Sequence, residues 1–102
     1  GKLEFDQRVV LVDCVTLWLT NFFVDTKNDV DQSLQLAKSE FNALTTQNSD
    51  FIFISNEIGM GTHAHTEIGR KFTDLQGWMN QFIAEKSDQA WLMVSGIPMK
   101  LK

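Results

Sequence analysis

The sequence predicts an α/β domain with a mostly parallel sheet and flanking helices. Short, continuous apolar runs rich in β-branched and aromatic residues alternate with longer segments whose apolar residues recur every three or four positions. Their order, β-α-α-β-α-β, is the one that joins parallel strands through right-handed helical crossovers.

The first run, VVLV (9–12), lacks the polar alternation of a half-exposed strand, so it is expected to be buried on both faces. TLWLTNFF (16–23) predicts a short helix that leads into the polar stretch DTKNDVDQ. Val30, Leu34, Ala37, Phe41 and Leu44 are spaced four, three, four and three apart, which puts them on one face of a helix over about 29–46. FIFI (51–54) is a second buried strand. Ile68, Phe72, Leu75, Met79 and Phe82 repeat the helical spacing and predict a helix over about 66–86. AWLMVS (90–95) supplies the third expected strand, parallel to the other two.

At 102 residues and 43% hydrophobic content, residues 1–102 suit a single domain with one core. Three parallel strands make a very small sheet, and each large side chain left in water forfeits roughly 1.5–3 kcal/mol of burial. Further strands or a partner chain are therefore expected to complete the core and cover the open edges. The net charge of −4 and the nine scattered Lys and Arg argue against nucleic-acid binding, which needs a concentrated basic patch. A phosphate site is still open to such a chain, because helix N-termini bind anions through backbone amides. The lone Cys14 cannot form an internal disulfide, and no apolar run approaches the roughly 20 residues of a membrane span. With no secretory leader pattern in the sequence, a cytoplasmic, reducing setting is expected.

In open α/β sheets, ligands bind beyond the carboxyl ends of the strands. The expected strands run there into Asp13 and Thr16, into Ser55, Asn56 and Glu57, and into Ser95 and Gly96. An acid directly after a buried VLV strand suits a carboxylate that holds Mg²⁺ near nucleotide phosphates. It suits equally a cap on the following helix. Glu57 could position a metal-bound water or a hydroxyl, and Asn56 could hydrogen-bond substrate; an Asx-stabilised turn explains both as well. Gly59 and Gly61 permit positive φ or close backbone approach. GMGTHA meets the loose G-x-G-x-x-A pattern, but the first glycine comes too late after the strand and no acid follows the next strand to bind a ribose. His63 and His65 lack a third ligand at recognisable spacing, and Cys14 reads as a small core residue. Trp18, Trp78 and Trp91 suit core or interface packing. Arg70 and Lys71 stand at the start of a helix, where cations oppose the macrodipole; an acidic partner or phosphate would account for them, and so would surface chance.

Taken in order, VLVDCVTLWLTNFF, FISNEIGMG, GRKFTDLQGWMNQ and AWLMVSGIPMKLK cover most of the chain. Together they resemble the bifunctional adenosylcobinamide kinase / adenosylcobinamide-phosphate guanylyltransferase family of cobalamin biosynthesis. The resemblance implies part of a phosphate-binding-loop NTPase-like (RecA-like) domain that assembles as a trimer. It implies phosphorylation of adenosylcobinamide by a nucleoside triphosphate, GTP or ATP, followed by GMP transfer from GTP through a covalent histidine intermediate, with Mg²⁺ as cofactor. By position, Asp13 matches the family's acid at the Walker-B strand, with Thr16 beside it at the nucleotide. Glu57 matches the acid of its S-N-E-x-G block, with Asn56, Gly59, Gly61 and Arg70 binding or supporting substrate.

The departures are specific. No G-K-S or G-K-T occurs, and His63 and His65 lie downstream of the Walker-B strand, whereas the family's guanylylated histidine lies upstream. GTHA stands where the family usually reads G-I-V-P, and Thr73 and Trp78 stand where arginines are common. The chain is therefore expected to be the C-terminal portion of the enzyme, to lack the nucleophile and to be inactive alone. The competing expectation is a non-catalytic α/β interaction module whose strand ends are only turns.

Overall fold

The computed structural model describes residues 9–47, 49–56 and 66–102. They form β1 (Val9–Asp13), α1 (Val15–Asp25), α2 (Val30–Thr45), β2 (Asp50–Ile54), α3 (Glu67–Lys86), β3 (Trp91–Val94) and β4 (Ile97–Lys100). The six elements read from the sequence are present, each end within two residues of expectation. No helix among the described residues is long and apolar enough to cross a membrane.

Local chemistry sets the helix ends. Asp29 caps α2 by accepting from the Gln32 amide at 2.9 Å, and Thr66 caps α3 by accepting from the Gly69 amide at 2.9 Å. Between α1 and α2 the chain turns through Lys27 and Asn28, both at positive φ. The buried Ser33 hydroxyl braces this corner: it lies 2.8 Å from Thr26 Oγ1 and donates to the Asp29 carbonyl at 2.6 Å. A hydroxyl can sit there at little cost because its hydrogen-bonding capacity is met.

The core lies among the three helices. Val15, Leu19 and Phe23 of α1, Ala37 and Phe41 of α2, and Leu75, Met79 and Ile83 of α3 are buried together. Phe41 ties this cluster to the sheet, with its ring 4.9 Å from Phe53 and 5.5 Å from Phe82. Such aromatic contacts add roughly 0.5–1.5 kcal/mol beyond area burial.

β1 and β2 pair in parallel, as expected, from Val9 opposite Asp50 to Asp13 opposite Ile54. Their burial is one-sided. Val10, Val12, Phe51 and Phe53 are half-buried, whereas Leu11 is 58% and Ile52 52% exposed, with Val9 and Ile54 on the same outer face. The expectation of burial on both faces is corrected here: helices cover a single side of this pair.

The third strand also departs from expectation. β3 does not extend the parallel pair but pairs antiparallel with β4 in a second sheet, Trp91 opposite Lys100 and Val94 opposite Ile97. The cause is the tight Ser95–Gly96 turn, with φ of 52° and 77°, because a two-residue loop with both central φ positive closes only an antiparallel hairpin. Pro98 is tolerated because β4 is an edge strand. The hairpin is tied to the end of α3 by Lys102, whose Nζ donates to the Ala84 and Glu85 carbonyls at 3.1 and 3.0 Å.

Candidate functional site

Parallel pairing sends both chains out of the sheet at the same edge. Asp13 ends β1 opposite Ile54, and Ser55 and Asn56 follow directly from β2. Two of the polar strand ends singled out in the sequence therefore share one rim. The third, Ser95 and Gly96, is the hairpin turn. Glu57, Gly59, Gly61, His63 and His65 lie outside the described residues.

Asp13 is exposed, and its carboxylate has no hydrogen-bond or ion-pair partner among the described residues. The residue at the N-cap of α1 is Cys14, and no side chain among the described residues caps that helix. Of the two roles open to Asp13 from sequence, capping is thus excluded. The first turn of α1 presents amides without intrahelical acceptors, a setting that favours an anion. A free carboxylate beside it favours a cation.

Thr16 lies in that first turn, and its Oγ1 accepts from Asn56 Nδ2 at 3.1 Å. Behind Asn56 stand two amides on α3. Asn80 Nδ2 donates to the Asn56 carbonyl at 3.0 Å, and Asn80 Oδ1 accepts from Ser55 Oγ at 2.5 Å. Gln76 Nε2 donates to both Ser55 Oγ, at 2.9 Å, and Asn80 Oδ1, at 3.0 Å. Gln76 is fully buried, and its Oε1 has no partner. An orphaned buried acceptor costs about 1–3 kcal/mol.

An open cavity of about 320 Å³ adjoins the rim on the α2 side. Asp13, Cys14, Trp18 and Asn21 line it together with Val12 and Leu44. Cys14 is half-buried at this wall and is not part of the core cluster. Trp18 packs against the core, 5.9 Å from the Phe22 ring, while Trp78 and Trp91 are exposed.

Arg70 is exposed in the first turn of α3, and its side chain has no hydrogen bond or ion pair with the described residues of the Thr16–Asn56 group. At 1.5 Å per residue it stands about 15 Å along the helix axis from Asn80. Its neighbour Lys71 forms a loose, exposed pair with Glu67 at 3.7 Å. Gln76 and Asn80 were not singled out from the sequence. The available signal was an amide set beside Leu75 and Met79 in an otherwise apolar stripe, followed by a second amide one turn on.

The donor set constrains the metal chemistry. Among the described residues no three His, Cys, Asp or Glu side chains stand together as a metal cage. A single free carboxylate suits Mg²⁺, which dehydrates reluctantly and binds through one or two carboxylates plus substrate phosphates.

Comparison with known proteins places the chain in a family. The family described as "Cobinamide kinase / cobinamide phosphate guanyltransferase" matches residues 2–101. The chain is 36% identical over 96 residues to the bifunctional adenosylcobalamin biosynthesis protein CobP of Pseudomonas aeruginosa, covering 93% of this chain and 54% of that protein. It is 33% identical over 106 residues to the bifunctional adenosylcobalamin biosynthesis protein CobU of Escherichia coli, covering 93% of this chain and 59% of the relative. The CobU protein of Salmonella typhimurium is 30% identical over 107 residues, covering 91% and 58%. The chain thus spans between 54% and 59% of the length of these curated relatives.

Proposed function

The chain belongs to the cobinamide kinase / cobinamide phosphate guanyltransferase family, and on that premise we propose that it is part of a bifunctional enzyme of cobalamin biosynthesis. In this reading the whole enzyme phosphorylates adenosylcobinamide with GTP or ATP. It then transfers GMP from GTP to adenosylcobinamide phosphate, releasing pyrophosphate. The observation that supports a nucleotide at this edge is the exposed Asp13 carboxylate, without a partner among the described residues, beside a first turn of α1 that none of their side chains caps.

Each residue then has a task. Asp13 holds the Mg²⁺ that accompanies the triphosphate, directly or through water. Thr16 and the first-turn amides of α1 meet phosphate oxygens. Asn56 sets the rim between the two strands, and Glu57, Gly59 and Gly61 bind or support the substrate. Arg70 offers a cation to an acidic group of the substrate. Mg²⁺, when bound, neutralises charge that develops as phosphoryl or guanylyl groups move.

The same reading assigns the chain to the C-terminal part of a RecA-like, phosphate-binding-loop domain in a cytoplasmic homo-oligomer, a trimer. The bare outer face of β1–β2 fits a sheet that continues beyond these residues or is covered by another subunit. That face equally favours the second reading, a non-catalytic interaction module. Calorimetric titration of the full-length protein with GTP and Mg²⁺ separates the two. Saturable, Mg²⁺-dependent binding is expected, and its absence would sink the enzymatic reading.

A further inference from the structure

Gln76 is fully buried between Leu75 and Met79, with one carbonyl oxygen unsatisfied. A methionine or leucine would fill such a position without leaving an orphan. The amide is better explained by what it holds. Gln76 Nε2 donates toward both Ser55 Oγ and Asn80 Oδ1, which stand 2.5 Å apart, and Ser55 Oγ in turn donates to Asn80 Oδ1. That triangle fixes which end of the Asn80 amide faces inward. The Nδ2 end is left to grip the Asn56 carbonyl, and the Asn56 side chain then spans to Thr16. Asn56 Nδ2 takes an acceptor position on the Thr16 hydroxyl, and nothing among the described residues accepts its proton.

We infer that Asn80, oriented by Gln76 and Ser55, is a positioning residue that holds the main chain at Asn56 and thereby turns the Thr16 hydroxyl proton toward an anionic ligand at the α1 N-terminus. The ligand class is a nucleotide phosphate, so the inference rests on the functional reading above. Asn80 touches neither nucleotide nor metal. Its effect passes through Asn56.

The test is steady-state guanylyl transfer by the full-length enzyme, with GTP as the varied substrate and thermal unfolding measured alongside. Asn80→Ala is expected to lower kcat/KM for GTP by about tenfold or more, since small misplacements at a reacting centre are costly. Asn80→Asp keeps the acceptor facing Ser55 and Gln76 but removes the donor to Asn56. It is expected to be as impaired as the alanine variant. In an Asn56→Ala background the further loss on Asn80→Ala should shrink to within about twofold, the mark of two residues acting in series. Three results overturn the inference and leave the functional reading intact: a lowered melting temperature with unchanged kcat/KM, recovery by Asn80→Asp, or additive losses in the double variant. A wild-type enzyme that neither binds nor turns over GTP overturns the functional reading, and this inference with it.

Discussion

Asn56 Nδ2 lies 3.1 Å from Thr16 Oγ1, joining the end of β2 to the first turn of α1 across a separation of 40 residues. The bond exists because parallel pairing brings both strand ends to one edge. The Asn80 amide of α3 stands behind it, donating to the Asn56 carbonyl at 3.0 Å.

Asp13→Ala should separate binding from stability. The carboxylate is exposed and without a partner among the described residues, so its loss should change unfolding free energy by no more than about 0.5 kcal/mol. In the full-length protein, Mg²⁺-dependent GTP affinity measured by calorimetry should fall at least tenfold, on the order of 1.4 kcal/mol. Unchanged affinity would remove Asp13 from the nucleotide site.

The 102-residue chain by itself should not become labelled by radiolabelled GTP. It contains no G-K-S or G-K-T, and its two histidines follow the β1 strand in sequence. A covalent GMP adduct on the purified chain, detected by mass spectrometry, would show that a nucleophile has been overlooked.

Two glycines should respond with opposite signs. Gly77 lies inside α3, and a Cβ there would meet nothing within 4 Å. Gly77→Ala should therefore raise stability by about 0.5–1 kcal/mol in urea unfolding. Gly96 has equally open surroundings but sits at φ 77°. There Gly96→Ala should cost about 1–2 kcal/mol of local hairpin stability through backbone strain alone, visible as loss of β3–β4 amide protection.

Phe41→Ala should destabilise the chain by about 3–5 kcal/mol, because that ring fills the junction of α2, α3 and β2. Chemical denaturation measures the loss. A change below about 1 kcal/mol would mean the helices hold the sheet by other contacts.

Self-association should follow from the bare outer face of β1–β2. At micromolar concentration, light scattering is expected to report a species larger than a monomer, and Leu11→Glu with Ile52→Glu should shift it toward monomer. A well-folded monomer of the unsubstituted chain would contradict this.

Much of this arrangement was legible in the sequence for identifiable reasons. The helical spacing from Val30 to Leu44 and from Ile68 to Phe82 exposed α2 and α3, since a 3.6-residue period over four turns has few competing explanations. The short apolar runs gave the positions of β1, β2 and β3 but not their surroundings. Unbroken hydrophobicity cannot distinguish a strand covered on two faces from one covered on a single face, so Leu11 and Ile52 were misjudged. The β3 pairing was decided by Ser95 and Gly96, a turn signal that was present and was instead read as a ligand-binding strand end. At the rim, Asp13, Thr16 and Asn56 were legible because they follow strands directly. Gln76 and Asn80 were not, because their role depends on a contact more than twenty residues away along the chain.

The register of β1 against β2 makes strand length a ruler. One residue inserted within Val9–Asp13 would exchange the inner and outer sets of side chains, turning Val12 away from the helices. Two inserted residues would restore the faces but carry the rim about 6.6 Å further along. Variants that keep this architecture should accordingly accumulate gains and losses of residues at the corners joining the helices, while the five-residue span of β1 stays constant.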